Sequence, residues 1–202
     1  MNILVTGFTP FGGEVCNPSW SAACTLPDST GSARIYKREL PTAFEAAAAA
    51  LCRAAEAVGP DVILCLGQYG GSPTIRVERV AVNLMDARIP DNSGFQPRDL
   101  PVVPDGPAAY FSTLPTRSIV QALRSHGIPA VLSYSAGTYV CNSLLYSALH
   151  LCACRFPSVR CGFLHVPFLP EQAAARDAGE ASMSLDTVSR ALEISIHTIL
   201  EH

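Results

Sequence analysis

Ile128-Pro129-Ala130-Val131-Leu132-Ser133-Tyr134-Ser135-Ala136-Gly137-Thr138-Tyr139-Val140-Cys141-Asn142-Ser143 carries the chain from one secondary structure into another. Its first half is apolar and β-branched, the pattern of a strand buried in a sheet. Beyond it, Leu144, Leu145, Ala148, Leu151 and Cys152 recur at helical spacing. A glycine-containing turn thus hands a strand to a helix, and Cys141 falls where the helix begins. A thiol there meets unpaired backbone N–H groups and the positive end of the helix dipole. Both favour thiolate, so a lowered pKa is expected, and with it a nucleophile. A cysteine taken at random is more often a small buried hydrophobe. Position alone does not decide, so partners have to be sought elsewhere in the chain.

Outward from this stretch the same alternation repeats. Asn2 to Thr6 is a short apolar strand, followed by the loop Gly7-Phe8-Thr9-Pro10-Phe11-Gly12-Gly13. Asn17-Pro18-Ser19 then opens a helix, with Asn as N-cap and Pro at the first helical position. Ala33 to Leu40 reads as a strand. A helix through Phe44, Ala47, Leu51, Ala55 and Val58 stops at Gly59-Pro60. Val62-Ile63-Leu64-Cys65-Leu66 is too continuously apolar for a half-exposed strand and belongs at the sheet centre. Thr116 to His126 and roughly Ser184 to Leu200 read as further helices, with a strand over Val159 to Leu164 between them. Strands alternating with helices specify an α/β sandwich of three layers, and 202 residues suit a single domain spanning 1–202. Ligands in such sheets collect beyond the carboxyl ends of the strands. That edge is expected to gather Gly67 to Gly71, the Phe8/Phe11 loop, Cys141 and His165.

Composition narrows the function. The net charge is -3, and Lys37-Arg38 is the one adjacent basic pair, which argues against nucleic acid or an acidic membrane as partner. No run approaches the length of a membrane span. Met1-Asn2 leads straight into Ile3-Leu4-Val5 without a basic n-region, which predicts a cytoplasmic protein with reduced thiols. Cys152-x-Cys154 with Cys161 has poor spacing for a tetrahedral metal site, so no metal is expected. Gly7, Gly12 and Gly13 fit neither a dinucleotide fingerprint nor a phosphate-binding loop.

From Ser72 to Pro107 the alternation stops. Thr74 to Leu84 reads as an extended ribbon, and Asp86 to Pro104 as an irregular loop of the kind that serves a site or an oligomer contact. Glu78 is in phase with Val80, Val82 and Leu84, which places its carboxylate on an apolar face. A buried carboxylate needs a donor: Arg76, Arg79 or Arg88 in a structural role, or a catalytic imidazole. His165 follows a strand at the ligand edge, whereas His126, His150, His197 and His202 fall on or beside helices. Cys141, His165 and Glu78 are then candidates for nucleophile, general base and orienting carboxylate, with the Cys141 N–H as an oxyanion donor. Phe8 and Phe11 either anchor their loop in the core or line a flat apolar pocket.

Five blocks carry a resemblance. They are Gly7-Phe8-Thr9-Pro10-Phe11-Gly12-Gly13 with Asn17-Pro18-Ser19; Glu78-Arg79-Val80-Ala81-Val82-Asn83; Asp86-Ala87-Arg88-Ile89-Pro90-Asp91-Asn92; Ser135 to Asn142; and Phe163-Leu164-His165-Val166-Pro167. In this order they resemble the pyroglutamyl peptidase type I (pyrrolidone-carboxylate peptidase) family, and the likeness runs from Gly7 to the final helix. The resemblance implies a three-layer α/β/α sandwich around a twisted, mostly parallel mixed sheet. It also implies a cytosolic cysteine exopeptidase without cofactor that releases N-terminal pyroglutamate from peptides, often as a dimer or tetramer. It gives Cys141, His165 and Glu78 as the triad, Phe8 and Phe11 as walls of the lactam pocket, Asn17 and Gln68 as its polar supports, and Arg88 beside the nucleophile. Two readings compete: a thiol sensor using Cys141 with Cys16 as resolving thiol, and a non-catalytic binding module using the Phe8/Phe11 loop. The sensor lacks a C-x-x-C motif. The module would tolerate loss of Cys141 or His165.

Overall fold

A computed structural model describes residues 1–176 and 179–202. The chain runs β1 (Asn2–Phe8), α1 (Pro18–Thr25), β2 (Ser29–Thr30), β3 (Ala33–Leu40), α2 (Phe44–Val58), β4 (Val62–Gln68), β5 (Ile75–Glu78), β6 (Val80–Val82) and β7 (Ala109–Phe111). It continues as α3 (Thr116–Ser125), β8 (Ala130–Ser133), α4 (Val140–Arg155), β9 (Arg160–Val166), α5 (Pro170–Ala174) and α6 (Leu185–Leu200). One mixed sheet has the order β2-β3-β1-β4-β9-β5-β8, and β6 pairs with β7 in a separate ribbon.

β3, β1, β4 and β9 run parallel, while β5 is antiparallel to β9 and β8 is parallel to β5. Side chains alternate between two cores. Ile3, Val5, Val62, Leu64, Leu66, Leu164 and Val166 face the layer of α1, α3 and α6. Leu4, Ile63, Cys65, Cys161 and Phe163 face the layer of α2 and α4. Burial on both faces is why β4 reads as an unbroken apolar run. Asn17 caps α1 by accepting from the Ser19 N–H at 3.1 Å, and Gly59 closes α2 in the left-handed conformation. Among the described residues no helix is long and apolar enough to cross a membrane.

Two sequence expectations change here. The Thr74–Leu84 ribbon breaks at Arg79, where the chain leaves the main sheet for the small one. Ala81 is therefore the buried residue of β6, and Val80 and Val82 are half-buried. Glu78 owes its burial to β5, not to a shared face with those valines. Likewise β8 points away from the edge where β1, β4 and β9 end. Residues 134–139 have to return across that distance before α4 can start. Short-range patterning carries no information on strand direction, so neither feature was visible in it.

Candidate active site

On β9, His165 shares a face with Cys161 and Phe163, the face covered by α4. On β5, Ile75 and Val77 face the opposite core, so Arg76 and Glu78 point the same way as His165. Arg76 lies opposite His165 and Glu78 opposite Phe163 in the register, which puts the carboxylate diagonally across from the imidazole. Glu78 Oε1 lies 2.8 Å from His165 Nδ1, with the two side chains 0% and 2% exposed. Arg76 Nε lies 3.8 Å from the same oxygen, and the Arg76 guanidinium stacks on Tyr69. The sequence left arginine and imidazole as alternative partners for Glu78; the carboxylate has both. Of the other two arginines proposed, Arg79 donates to the Ser112 carbonyl, and Arg88 is exposed on the cavity rim.

His165 is paired in register with Gly67 of β4. A Cβ on Gly67 would lie 2.8 Å from Cys141 Sγ and 2.6 Å from the Phe163 ring. The missing side chain is thus the space into which the start of α4 lowers its thiol. Asn142 fixes that start to the β6 ribbon, accepting from the Val82 N–H and donating to the Val82 and Leu84 carbonyls. Thr138 and Tyr139 tie the preceding loop to the Asp86 and Pro90 carbonyls. The N-cap of α4, Tyr139, makes no side-chain capping hydrogen bond, so no capping side chain takes up the N–H groups of the first turn. Gly67→Ala is expected to displace the thiol or the Phe163 ring. Turnover should fall by at least about 10²-fold, the scale of an ångström-sized misplacement. Wild-type rates in this variant would show that the gap is not needed.

These groups open into a cavity of about 470 Å³ whose walls include Phe8, Phe11, Asn17, Gln68, Arg88, Cys141 and His165, together with Thr42, Tyr69, Asp86, Ile89 and Tyr139. Glu78 lies behind His165. Tyr139 packs edge-on against Phe44, with ring centroids 5.4 Å apart, and lies 6.2 Å from Phe11. Asn17 reaches the cavity, but its amide is already committed. Its Oδ1 accepts from Ser19 Oγ and the Ser19 N–H, and its Nδ2 donates to the Thr9 carbonyl. It shapes the Phe8–Phe11 loop through the backbone. Tyr139 and Thr42 were not singled out in the sequence, and Tyr69 entered only as part of the Gly67–Gly71 stretch; the available signal was an aromatic residue beside Gln68 and another two residues before Cys141.

The thiol itself departs from expectation. Burial, then the Glu78 charge, then Cys65 push the Cys141 pKa up to about 12, and a backbone N–H opposes them only in part. Desolvation outweighs the helix start and keeps the resting thiol protonated. Alkylation of Cys141 by iodoacetamide in the free protein should therefore climb with pH beyond 9 without a plateau near neutrality. A plateau below pH 8 would contradict this. Cys65 is also pushed up to about 12, mainly by burial. Its folded-state pKa exceeds the unfolded value, so above pH 9 the unfolded chain binds fewer protons. Stability then falls by about 1.4 kcal/mol for each pH unit until about 12. Cys16 does not line the cavity, and burial, then the charges of Glu171 and Glu14, raise its pKa, which suits a resolving thiol poorly.

An α/β sandwich that brings a cysteine and a histidine into one cavity, with a buried carboxylate hydrogen-bonded behind the histidine, has the groups that the class of thiol enzymes requires. Comparison with known proteins narrows the class. The pyroglutamyl peptidase family model matches residues 1–202. Pyrrolidone-carboxylate peptidase 2 of Photorhabdus laumondii is 51% identical over 201 residues, covering 99% of this chain and 92% of the relative. The pyrrolidone-carboxylate peptidase of Thermococcus onnurineus is 48% identical, with full coverage of both chains. The crystal structure of pyroglutamyl peptidase I from Bacillus amyloliquefaciens superposes with a TM-score of 0.96 at 44% identity, covering 100% of this chain and 95% of that one. The chain belongs to the pyroglutamyl peptidase family.

Proposed function

We propose that this enzyme hydrolyses the amide bond after an N-terminal pyroglutamyl residue through a Cys141–His165–Glu78 triad and an acyl-enzyme. The observation that carries the reading is the 2.8 Å contact between Glu78 and His165 Nδ1. An ionised carboxylate only accepts, so Nδ1 holds the ring proton and Nε2 keeps its lone pair for the cavity. His165 Nε2 takes the Cys141 proton as Sγ attacks the scissile carbonyl, and the C–S bond forms. The Cys141 N–H receives the oxyanion, with Arg88 near it. Collapse breaks the C–N bond, and the imidazolium returns its proton to the departing amine. Water, deprotonated by the same nitrogen, attacks the thioester, and pyroglutamate leaves as the thiol re-forms. Because the thiol pKa is high, thiolate exists only within this transfer.

The pocket suits a flat, uncharged lactam. Phe8 and Phe11 supply aromatic surface, Asn17 shapes the loop that bears them, and Gln68 supplies the polar contact. Among the described residues the one carboxylate on the cavity lining, Asp86, is exposed and paired with Arg98 at 3.3 Å, so a free α-ammonium would meet no unpaired carboxylate. The setting is the cytoplasm, in keeping with eight free cysteines. The assembly is a homo-oligomer, dimer or tetramer, with the exposed Ile89, Phe95 and Leu100 of the irregular loop as its contact. The test is amine release from a pyroglutamyl amide by the reduced protein, with prolyl and glutaminyl amides as controls. Lactam-selective turnover supports the reading, and equal or absent turnover refutes it.

A further inference from the structure

Gln172, on the short helix α5, is 4% exposed and lies outside the cavity lining, yet its hydrogen bonds determine what the cavity presents. Its Oε1 accepts from the Leu169 N–H at 3.0 Å. Its Nε2 donates to Glu14 Oε2 at 3.0 Å, and Glu14 is held from its other oxygen by Arg176. The two contacts fix the Gln172 amide without ambiguity, because a backbone N–H needs an acceptor and a carboxylate needs a donor. The same Nε2 lies 3.1 Å from Gln68, so the Gln68 atom facing it has to be the carbonyl oxygen. The Gln68 amide is thereby turned with its NH2 free. Among the described residues nothing accepts from that NH2, and Gln68 lines the cavity.

We infer that Gln172 is a positioning residue for substrate selection: through Glu14 it locks Gln68 so that the site offers a hydrogen-bond donor to the ring carbonyl of the lactam. The inference rests on the proposed pyroglutamyl specificity and adds its source. Proline differs from pyroglutamate by lacking that carbonyl. A Gln68 amide turned the other way would present oxygen to oxygen and reject the lactam.

Gln172→Glu replaces the donor by an acceptor of equal shape, which reverses Gln68, but it also sets a second carboxylate beside Glu14. The double variant Glu14→Gln/Gln172→Glu restores the charge count. Gln at 14 then donates to Glu at 172 and still accepts from Arg176, while Gln68 stays reversed. In the double variant KM for a pyroglutamyl amide is expected to rise about tenfold or more, with kcat within about threefold and a near-wild-type melting temperature. Gln172→Met removes the donor without imposing the reversal and is expected to raise KM less, by about threefold. A wild-type KM in either variant overturns the inference, as does a KM defect in Gln172→Glu that the double variant repairs together with its melting temperature. Absence of lactam-selective turnover in the unaltered enzyme would instead remove the specificity on which the inference stands.

Discussion

Cys141→Ser should lower kcat/KM for a pyroglutamyl amide by about 10⁴-fold or more, while the melting temperature stays near that of the unaltered protein. The replacement is close to isosteric and sits at the cavity floor, so packing against Gly67 and Phe163 is preserved. What is lost is chemical. A hydroxyl is far less acidic than a thiol and a weaker nucleophile, and in the proposed triad the proton His165 takes is that of a thiol. A 10⁴-fold loss corresponds to about 5.5 kcal/mol of transition-state stabilisation. The burial that raises the Cys141 pKa would press harder on an alkoxide. Steady-state rates with freshly reduced protein measure it, and a loss smaller than tenfold would remove Cys141 from the role of nucleophile.

Glu78→Gln should cost about 10³- to 10⁴-fold in kcat with the fold retained. The carboxylate is not on the cavity lining. In the proposed triad it determines which imidazole nitrogen carries the proton, and an amide at this position can donate to Nδ1 and drive the proton to Nε2. The lone pair that should face Cys141 is then occupied. Glu78→Asp keeps the acceptor but shortens its reach across the 2.8 Å contact, so it should retain more activity than the isosteric amide. That ordering separates a tautomer effect from a packing effect: if Gln at 78 were the milder change, the carboxylate would be acting by shape alone. Arg76 would also lose its charge partner at 3.8 Å, so melting curves should accompany the kinetics.

Much of this was legible in the sequence because the signals are local. The apolar run Val62–Leu66, the Asn17-Pro18 cap and the Gly59 stop each report their own backbone, and the structure places β4, α1 and α2 accordingly. The approach of Cys141, His165 and Glu78 was expected from the sheet edge and the family likeness, but through the wrong geometry. The direction of β5 and β8 depends on long-range pairing. The true route from Glu78 to His165 is a diagonal across an antiparallel pair, not a common carboxyl edge. The thiol pKa was misjudged for a related reason: a helix start is visible in sequence, whereas the desolvation that outweighs it arises from packing against β4 and β9. Gln172 left no trace at all. It lies 104 residues from Gln68, and nothing in its own surroundings marks it.

The most direct test of the account is to trap the acyl-enzyme. The reduced protein would be mixed with an activated pyroglutamyl ester, quenched in acid within the first turnover, digested and mapped by mass spectrometry. The account predicts one pyroglutamyl group in thioester linkage, on the peptide bearing Cys141 and on no other cysteine-containing peptide. Turnover of the ester with no label on Cys141, or with the label on Cys16 or another thiol, would contradict it.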